Sequence, residues 1–266
     1  MPRHRSLTDE QIARLRERLA ADDAPSTRKL AEEFGVSAMT ISRYARMPKE
    51  EFAQVSPFEE LGLTGLTRYG GQVQEDYDAR WKTLSRMVPT VQEMLNYPIV
   101  AAVMHAIEML MRGAEWSVQP GGEELLDEEA AEFIEGCIDD MSQSWSDHVS
   151  QATTFLPYGF APFEIVYKRR LGPEKDPASK YDDGKIGWRK FAIRSQDTLT
   201  PGREWIFDDA GGIQAMNQTE KPGGRSVTIP IGKLILYRST AAKNNPQGRS
   251  ILRPVHFAYY FAKNLA

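Results

Sequence analysis

The sequence YGFAPFEIVY, from Tyr158 to Tyr167, is the stretch that most strongly indicates the fold of this 266-residue chain. Gly159 suits a corner between a helix and a strand, because glycine adopts backbone angles that other residues resist. Phe163, Ile165 and Tyr167 then alternate, as they would on one face of a strand. Helical periodicity dominates before this stretch and short strand patterns follow it, so we predict an α+β fold.

Short strand candidates follow at hairpin spacing, over residues 188–193, 204–207, 213–217, 226–229 and 234–237. Residues 208–212 read DDAGG, a strong signal for a hairpin turn between two of them. The basic run Lys168 to Arg170 is expected to be a solvated strand end, with contact to DNA or an acidic neighbour as the alternative. A last amphipathic helix is expected to start near Ser250 and to be still running at Ala266.

The residues before Tyr158 indicate several helices. A helical pattern from Glu75 is expected to break at Pro89, and residues 98–111 are apolar on most sides, which predicts a buried core helix. Residues 116–118 alternate and predict a short strand with Trp116 in the core. An acidic helix is expected over residues 123–141.

The acidic helix predicted over residues 123–141 has an apolar stripe that contains Leu125, Leu126 and Cys137, all expected to point inward. Cys137 is the only cysteine, so no intrachain disulfide can form, and a reducing, intracellular setting fits. No stretch approaches eighteen apolar residues, so we expect no membrane span.

The first fifty residues differ from the rest in charge. They carry 10 Lys and Arg against 8 Asp and Glu, whereas the remainder carries 23 against 29. Three helices are predicted, with Ser26 or Thr27 capping the second, Gly35 ending it and Ser37 capping the third over residues 38–46.

The spacing of Ala31, Gly35 and Ile41 in this segment resembles the helix-turn-helix of resolvases, transposases and small repressors. In such motifs the last helix enters the major groove and its first residues reach base edges, while basic side chains contact phosphates. The alternative is a module used only for protein contacts, because Glu32 and Glu33 oppose phosphate. The candidate DNA-binding residues are Arg28, Lys29, Ser37, Met39, Thr40, Arg43 and Arg46.

Four sequence pieces between residues 62 and 264 together resemble the portal proteins of tailed bacteriophages, particularly the Mu-like branch. The pieces are Arg68–Gly71 with Tyr97–Pro98 and 114–118; 158–160 with 163–167; 205–213 with 229–235; and 245–254 with 259–263. The resemblance implies a mixed domain of the portal wing and crown region. We therefore expect a helix-turn-helix at 1–48, a linker at 49–72 and a portal-like α+β domain at 73–266 that is truncated at its C-terminus.

The portal resemblance implies a structural subunit of a ring, usually of twelve copies, through which double-stranded DNA is packaged and ejected. Its implied partners are further copies of the chain, DNA, the terminase packaging motor and head-completion proteins. Its implied locations are the portal vertex of the virion and, during assembly, the host cytoplasm. The alternative is a DNA-binding regulator or recombination accessory protein with an oligomerising domain.

Sequence patterns of catalytic sites are not found. The four histidines are scattered and none has metal-ligand spacing with a second His or Cys, and neither a phosphate-binding loop nor a Gly-x-Ser-x-Gly elbow occurs. The adjacent Asp147 and His148 would not face one point from a helix. We therefore expect no enzyme activity, no cofactor, no metal site and no membrane contact.

Overall fold

A computed structural model describes residues 9–20, 25–46, 62–220 and 224–265 of the chain. Contacts divide the chain into two units, Met1–Glu60 and Leu61–Ala266. Residues 49–61 of the predicted linker at 49–72 lie outside the described residues, and the linker stays a prediction, as do the predicted domain boundaries.

The first unit contains three helices, α1 (Asp9–Ala20), α2 (Thr27–Phe34) and α3 (Ala38–Arg46). Gly35 ends α2 in the left-handed conformation, with φ at 63°, as predicted for a residue that follows a helix. The Ser37 hydroxyl accepts a hydrogen bond from the Thr40 N–H at 3.1 Å, which confirms it as the cap of α3. The predicted cap of α2 is wrong, because Ser26 precedes the helix without a capping side-chain bond. The buried side chains of this unit are Leu15, Leu30, Ala31 and Ile41.

The second unit opens with a short hairpin and a series of helices. The hairpin pairs β1 (Arg68–Tyr69) with β2 (Gln72–Val73). The helices are α4 (Leu84–Leu95), α5 (Pro98–Arg112), α6 (Leu125–Asp139), α7 (Trp145–Ala152) and the single turn α8 (Phe155–Tyr158).

Helix α4 corrects two expectations. It begins at Leu84 rather than near Glu75, and it continues through Pro89 instead of breaking there. Proline removes the hydrogen bond to the carbonyl four residues earlier and its ring crowds that carbonyl, and burial of one helix face offsets this cost. The buried side chains on this face are Leu84, Met87, Val88, Val91 and Met94.

Helix α5 also departs from expectation. The helix itself is confirmed, yet none of its residues is buried, so the predicted core helix is wrong. Val100 and Met104 only flank the core beside α4. Hydrophobic periodicity identifies helices, but it does not show which apolar faces lie against the same chain.

The segment between α5 and the acidic helix is a further correction. Residues 116–118 form no strand, and Trp116 is exposed. Leu125 and Leu126, expected inward, are exposed at the start of α6, whereas Cys137 is buried as predicted. A three-residue alternation is too short to bury a side chain without a pairing strand, and the first residues of a helix project beyond the core.

Two antiparallel three-stranded sheets complete the unit. One has the order β4-β3-β8 and the other the order β5-β6-β7. The predicted turn at 208–212 is confirmed, since the Asp208 N–H donates to the Gly212 carbonyl at 2.9 Å. The strands are β3 (Phe160–Arg169), β4 (Ile186–Ile193), β5 (Trp205–Phe207), β6 (Ile213–Thr219), β7 (Ser226–Pro230) and β8 (Leu234–Arg238).

The last helix, α9 (His256–Leu265), starts six residues later than expected. Pro254 disfavours helical geometry in the residue before it, so residues 251–255 form turns instead. The main core lies between α4 and the sheets and includes Met94, Phe160 and Trp205.

Among the described helices, none is long and apolar enough on its own to cross a membrane. Among the described helices, only α4 and α5 taken together are long and apolar enough for a membrane span, and the two are bent by 93° relative to each other.

Candidate assembly and nucleic-acid surfaces

The family-like sequence pieces come together in space, and the first contact joins the β1–β2 hairpin to β5. The Trp205 N–H donates to the Gly71 carbonyl at 3.0 Å. A Cβ atom on Gly71 would lie 2.2 Å from the Trp205 carbonyl oxygen, so no larger residue fits without displacement. The Arg68 guanidinium lies 4.6 Å from the centre of the Phe207 ring, which adds a cation–π contact.

The second contact joins the corner at Gly159 to the loop before α9. Gly159 and Gly248 both have positive φ, 88° and 52°, and a Cβ on Gly248 would lie 2.2 Å from the Gly159 carbonyl oxygen. The Ser250 hydroxyl donates to the Pro157 carbonyl at 2.5 Å and accepts from the Leu252 N–H at 3.0 Å. Ser250 therefore fixes this loop to α8 and does not cap α9.

The third contact is a two-pronged ion pair between Arg253 and Asp76. The Arg253 Nε and Nη2 atoms lie 2.7 and 2.9 Å from the two Asp76 carboxylate oxygens. Hydrogen bonding to Asp76 raises the pKa of Arg253. The guanidinium carbon lies 5.0 Å from the centre of the Tyr77 ring and 5.8 Å from that of the Trp81 ring. The first two contacts join quoted pieces to each other, and the third ties Arg253 of the last piece to Asp76, which lies outside them.

The predicted solvated end of β3 is wrong for Lys168 and Arg170, which are both buried. Lys168 Nζ lies 3.0 Å from Asp140 Oδ2, and it donates to the carbonyls of Asp140 and Ala178 at 2.5 and 2.9 Å. The Arg170 guanidinium lies 3.9 Å from the centre of the Tyr181 ring and 3.1 Å from Asp183. The long loop between β3 and β4 folds back over these cations and removes them from solvent.

Asp140 is the centre of this buried cluster, and sequence reasoning did not single it out. Burial alone raises the pKa of Asp140, yet hydrogen bonds from the Ser179 hydroxyl, the Lys180 N–H and Lys168 lower the pKa overall. Its position after an acidic helix made it resemble a solvated carboxylate, and only the tertiary fold brings Lys168 to it.

His148 is likewise buried, and it lies in an aromatic cage rather than in a metal site. Trp145, Phe163, Phe191 and Tyr237 surround the imidazole with ring centres 4.8 to 5.8 Å away. Its Nε2 lies 2.9 Å from the Tyr237 hydroxyl. Desolvation lowers the pKa of His148 to about 4. The described residues contain no group of three or more His, Cys, Asp or Glu able to hold a metal ion.

Helix α5 presents a continuous apolar face to solvent. Ile99, Val103 and Leu110 are 66, 54 and 77% exposed, and they form one row along the helix with the small residue Ala106. Trp116, which follows, is 59% exposed and lines a mixed cleft of about 510 Å³ with apolar residues such as Ile138, Met141 and Trp145 and polar ones such as Glu135 and Gln143. Large exposed apolar patches on folded proteins mark interaction surfaces, so this face is a candidate for one.

Helix α9 has a second exposed apolar row. Phe257, Phe261 and Leu265 are 71, 47 and 85% exposed. The opposite side of α9 contacts α4, where Lys263 pairs with Glu93, and the residue before α5, where the Tyr259 ring meets Tyr97 edge-on.

The predicted DNA-binding residues lie in the first unit, and the start of α3 brings Ser37, Met39 and Thr40 together. Met39 is 82% exposed. Thr40 is half-buried, and its hydroxyl is 2.8 Å from that of Ser37, so these two hydroxyls satisfy each other. Arg28 and Lys29 are exposed on α2. The side chains of Arg43 and Arg46 lie outside the described residues.

A sequence model of the family described as portal protein of Mu bacteriophage matches residues 88–266, about two thirds of the chain. The match begins within α4 and includes every later element. A comparison with individual curated proteins gave no match.

Proposed function

The chain belongs to the portal protein family of bacteriophage Mu, and from this premise we propose that it is a structural subunit of a portal ring. The ring would stand at one vertex of the capsid and pass double-stranded DNA during packaging and ejection. The observation that carries the proposal is the continuous family match over residues 88–266.

The contacts between the family-like pieces support a structural role. Gly71, Gly159, Gly248 and Arg253 serve close backbone packing and an internal ion pair. Residues with such roles maintain a shape, and none of these contacts orients a nucleophile or a general base. The proposed partners are further copies of the chain, DNA, the packaging motor and head-completion proteins.

A second proposal concerns the first unit, in which α2 and α3 form a helix-turn-helix that contacts DNA. The exposed Arg28 and Lys29 would contact phosphates, and Ser37, Met39, Thr40 and Arg43 would approach base edges, with Arg46 on the backbone. Support comes from the left-handed turn at Gly35 and from the exposure of Met39 at the start of α3. A single small module binds weakly, so a ring that carries many copies would supply avidity.

The ring proposal is tested by negative-stain electron microscopy of the purified chain. The expected result is closed rings with a central opening. Uniform particles without an opening, or two-fold dimers, would favour the alternative of a DNA-binding regulator with an oligomerising domain.

A further inference from the structure

A cavity of about 330 Å³ lies between residues 73–87 and residues 240–253 of the second unit. This volume is at the lower end of the range for small-molecule sites, roughly 300 to 1,000 Å³. One wall of the cavity is the sequence piece 245–254. The internal contacts described for this piece leave the side chains of Gln247 and Arg249 without an assigned role.

Two buried hydrogen-bond donors in the cavity wall lack a partner. The indole N–H of Trp81 and the side-chain amide nitrogen of Gln247 have no hydrogen-bond acceptor among the described residues. The two residues are nevertheless only 6 and 9% exposed. A buried donor without an acceptor is costly and rare in native proteins. Both donors therefore favour a ligand that brings acceptor oxygens into the cavity.

The cations of the cavity wall outnumber its carboxylates by four to two. Two of the four cations are neutralised by these carboxylates at 2.7 to 2.9 Å. The other two, Lys82 and Arg249, are exposed and form no ion pair with a described residue, although Arg249 attracts Asp76 at longer range. The cavity thus keeps two uncompensated positive charges. The neutralised pairs are Lys243 with Glu75 and Arg253 with Asp76.

The loop that forms one wall is held in shape by its own hydrogen bonds. The Asn245 side-chain amide donates to the Gly248 carbonyl at 3.1 Å and accepts from the Gln247 backbone N–H at 2.9 Å. The Arg249 backbone N–H donates to the Ser239 hydroxyl at 3.0 Å. The wall is therefore formed before any ligand arrives, which reduces the cost of ordering on binding.

We propose that this cavity binds a small molecule through a phosphate monoester group. Such a group carries a charge of about −1.5 to −2 at pH 7 and three strong acceptor oxygens. The charge matches the uncompensated Lys82 and Arg249. The oxygens supply acceptors for Trp81 and Gln247. A carboxylate or a DNA phosphodiester carries only a single charge and would leave one of the two cations unmatched.

The cavity also has an exposed aromatic ring at its edge. Tyr77 lines the cavity and is 93% exposed. The organic part of the ligand can lie against this ring, as bases do on exposed aromatic side chains. A nucleoside monophosphate is therefore an appropriate probe.

Isothermal titration calorimetry of the full chain tests the proposal, in a chloride buffer of constant ionic strength. The probes are adenosine monophosphate (AMP), inorganic phosphate and adenosine. AMP and inorganic phosphate should both bind. Adenosine lacks the phosphate and should bind about tenfold more weakly than AMP. Tyr77→Ala should remove the advantage of AMP over inorganic phosphate.

The two uncompensated cations are tested together. Lys82→Ala combined with Arg249→Ala should weaken AMP binding about tenfold, because two charge-assisted contacts are lost. Both side chains are exposed, so the unfolding midpoint in urea should stay at the wild-type value. Lys190→Ala is the matched control, since it removes an exposed charge from β4 outside the cavity, and it should leave the affinity unchanged.

Gln247→Met tests the buried donor separately. Methionine has a similar volume but no amide, so AMP binding should weaken. The unfolding midpoint should not fall, because the amide nitrogen has no acceptor among the described residues to lose.

Four results would overturn the proposal. Failure of both AMP and inorganic phosphate to bind at millimolar concentration would exclude a phosphate site. Equal affinities for AMP and adenosine would mean that only the ring system is recognised. Equal affinities of the double variant and Lys190→Ala would place the phosphate elsewhere. Displacement of AMP by a short DNA duplex would assign the cavity to the DNA backbone.

Discussion

At the scale of single residues, the fold depends on glycines at which two backbone segments meet. Gly159 and Gly248 face each other with positive φ, and a Cβ on either residue would lie within 2.5 Å of a carbonyl oxygen of the other segment. Sequence reasoning identified Gly159 as a corner glycine, but its contact with Gly248 depends on the tertiary fold and could not be predicted.

Gly248→Ala should lower the free energy of unfolding by about 3 kcal/mol, because the methyl group meets the Gly159 carbonyl and alanine resists positive φ. Urea denaturation measures the change. Gly232→Ala is the control, since nothing lies within 4 Å of its Cβ position, and it should remain close to wild type. Equal stability of the two variants would refute the contact.

His148 makes stability sensitive to acid. Burial lowers its pKa from 6.5 to about 4, so as the pH falls from 6.5 to 4 the unfolded chain takes up a proton that the folded chain does not. Stability therefore decreases through this window by about 3 kcal/mol from this group alone. The free energy of unfolding of the His148→Phe variant should decrease less steeply over the same pH range, as measured by urea denaturation at several pH values.

The pH experiment has an internal control, His105→Gln, which removes an exposed histidine and should keep the wild-type slope. An unchanged slope in His148→Phe would mean that the imidazole is not held neutral in the aromatic cage. The amphipathic pattern gave no sign of this burial, because histidine is compatible with either side of a helix.

At the scale of elements, the end of α6 is joined to β3 by the buried pair of Asp140 and Lys168. Removal of one partner leaves the other charge buried, so Asp140→Ala should destabilise the fold by about 4 kcal/mol. The double change Asp140→Ala with Lys168→Met should restore part of that loss, as a double-mutant cycle in urea would measure. Additive effects would show that the two side chains do not interact.

The start of α2 and helix α3 carry the residues whose role in DNA binding can be tested. Arg28→Ala combined with Lys29→Ala should weaken binding to duplex DNA of any sequence. The slope of log affinity against log salt concentration should fall by the amount expected for the loss of about two phosphate contacts. Arg43→Ala should instead reduce sequence preference. Glu32→Ala removes a negative charge from the same helix and should not weaken binding. Unchanged affinity in all basic variants would favour a module for protein contacts.

The elements also show what periodicity can predict. The three helices of the first unit and the strands from β3 to β8 were found from capping residues, turns and alternation, which are local signals. The burial of α5, the strand at Trp116 and the solvated end of β3 were predicted wrongly, because burial depends on partners distant in sequence. The exposed face of α5 is the clearest of these errors, since its residues are as apolar as those of a core helix.

At the scale of the whole molecule, the order of the four sequence pieces predicted family membership more reliably than any single residue. The fold brings some of these pieces into direct contact, residues 68–71 with residues 205–213 and residues 158–160 with residues 245–254. The assembly itself cannot be derived from one chain, because the residues that face a neighbour differ from core residues only in what covers them.

The most direct test of the central claim is the mass of the purified chain in solution, measured by mass photometry over a range of concentrations. The portal account predicts a closed assembly with a mass near twelve times the 30.0 kDa of one chain. It predicts no open polymers whose mass continues to rise with concentration. A protein that remains a monomer, or stops at a dimer, at every concentration would contradict it.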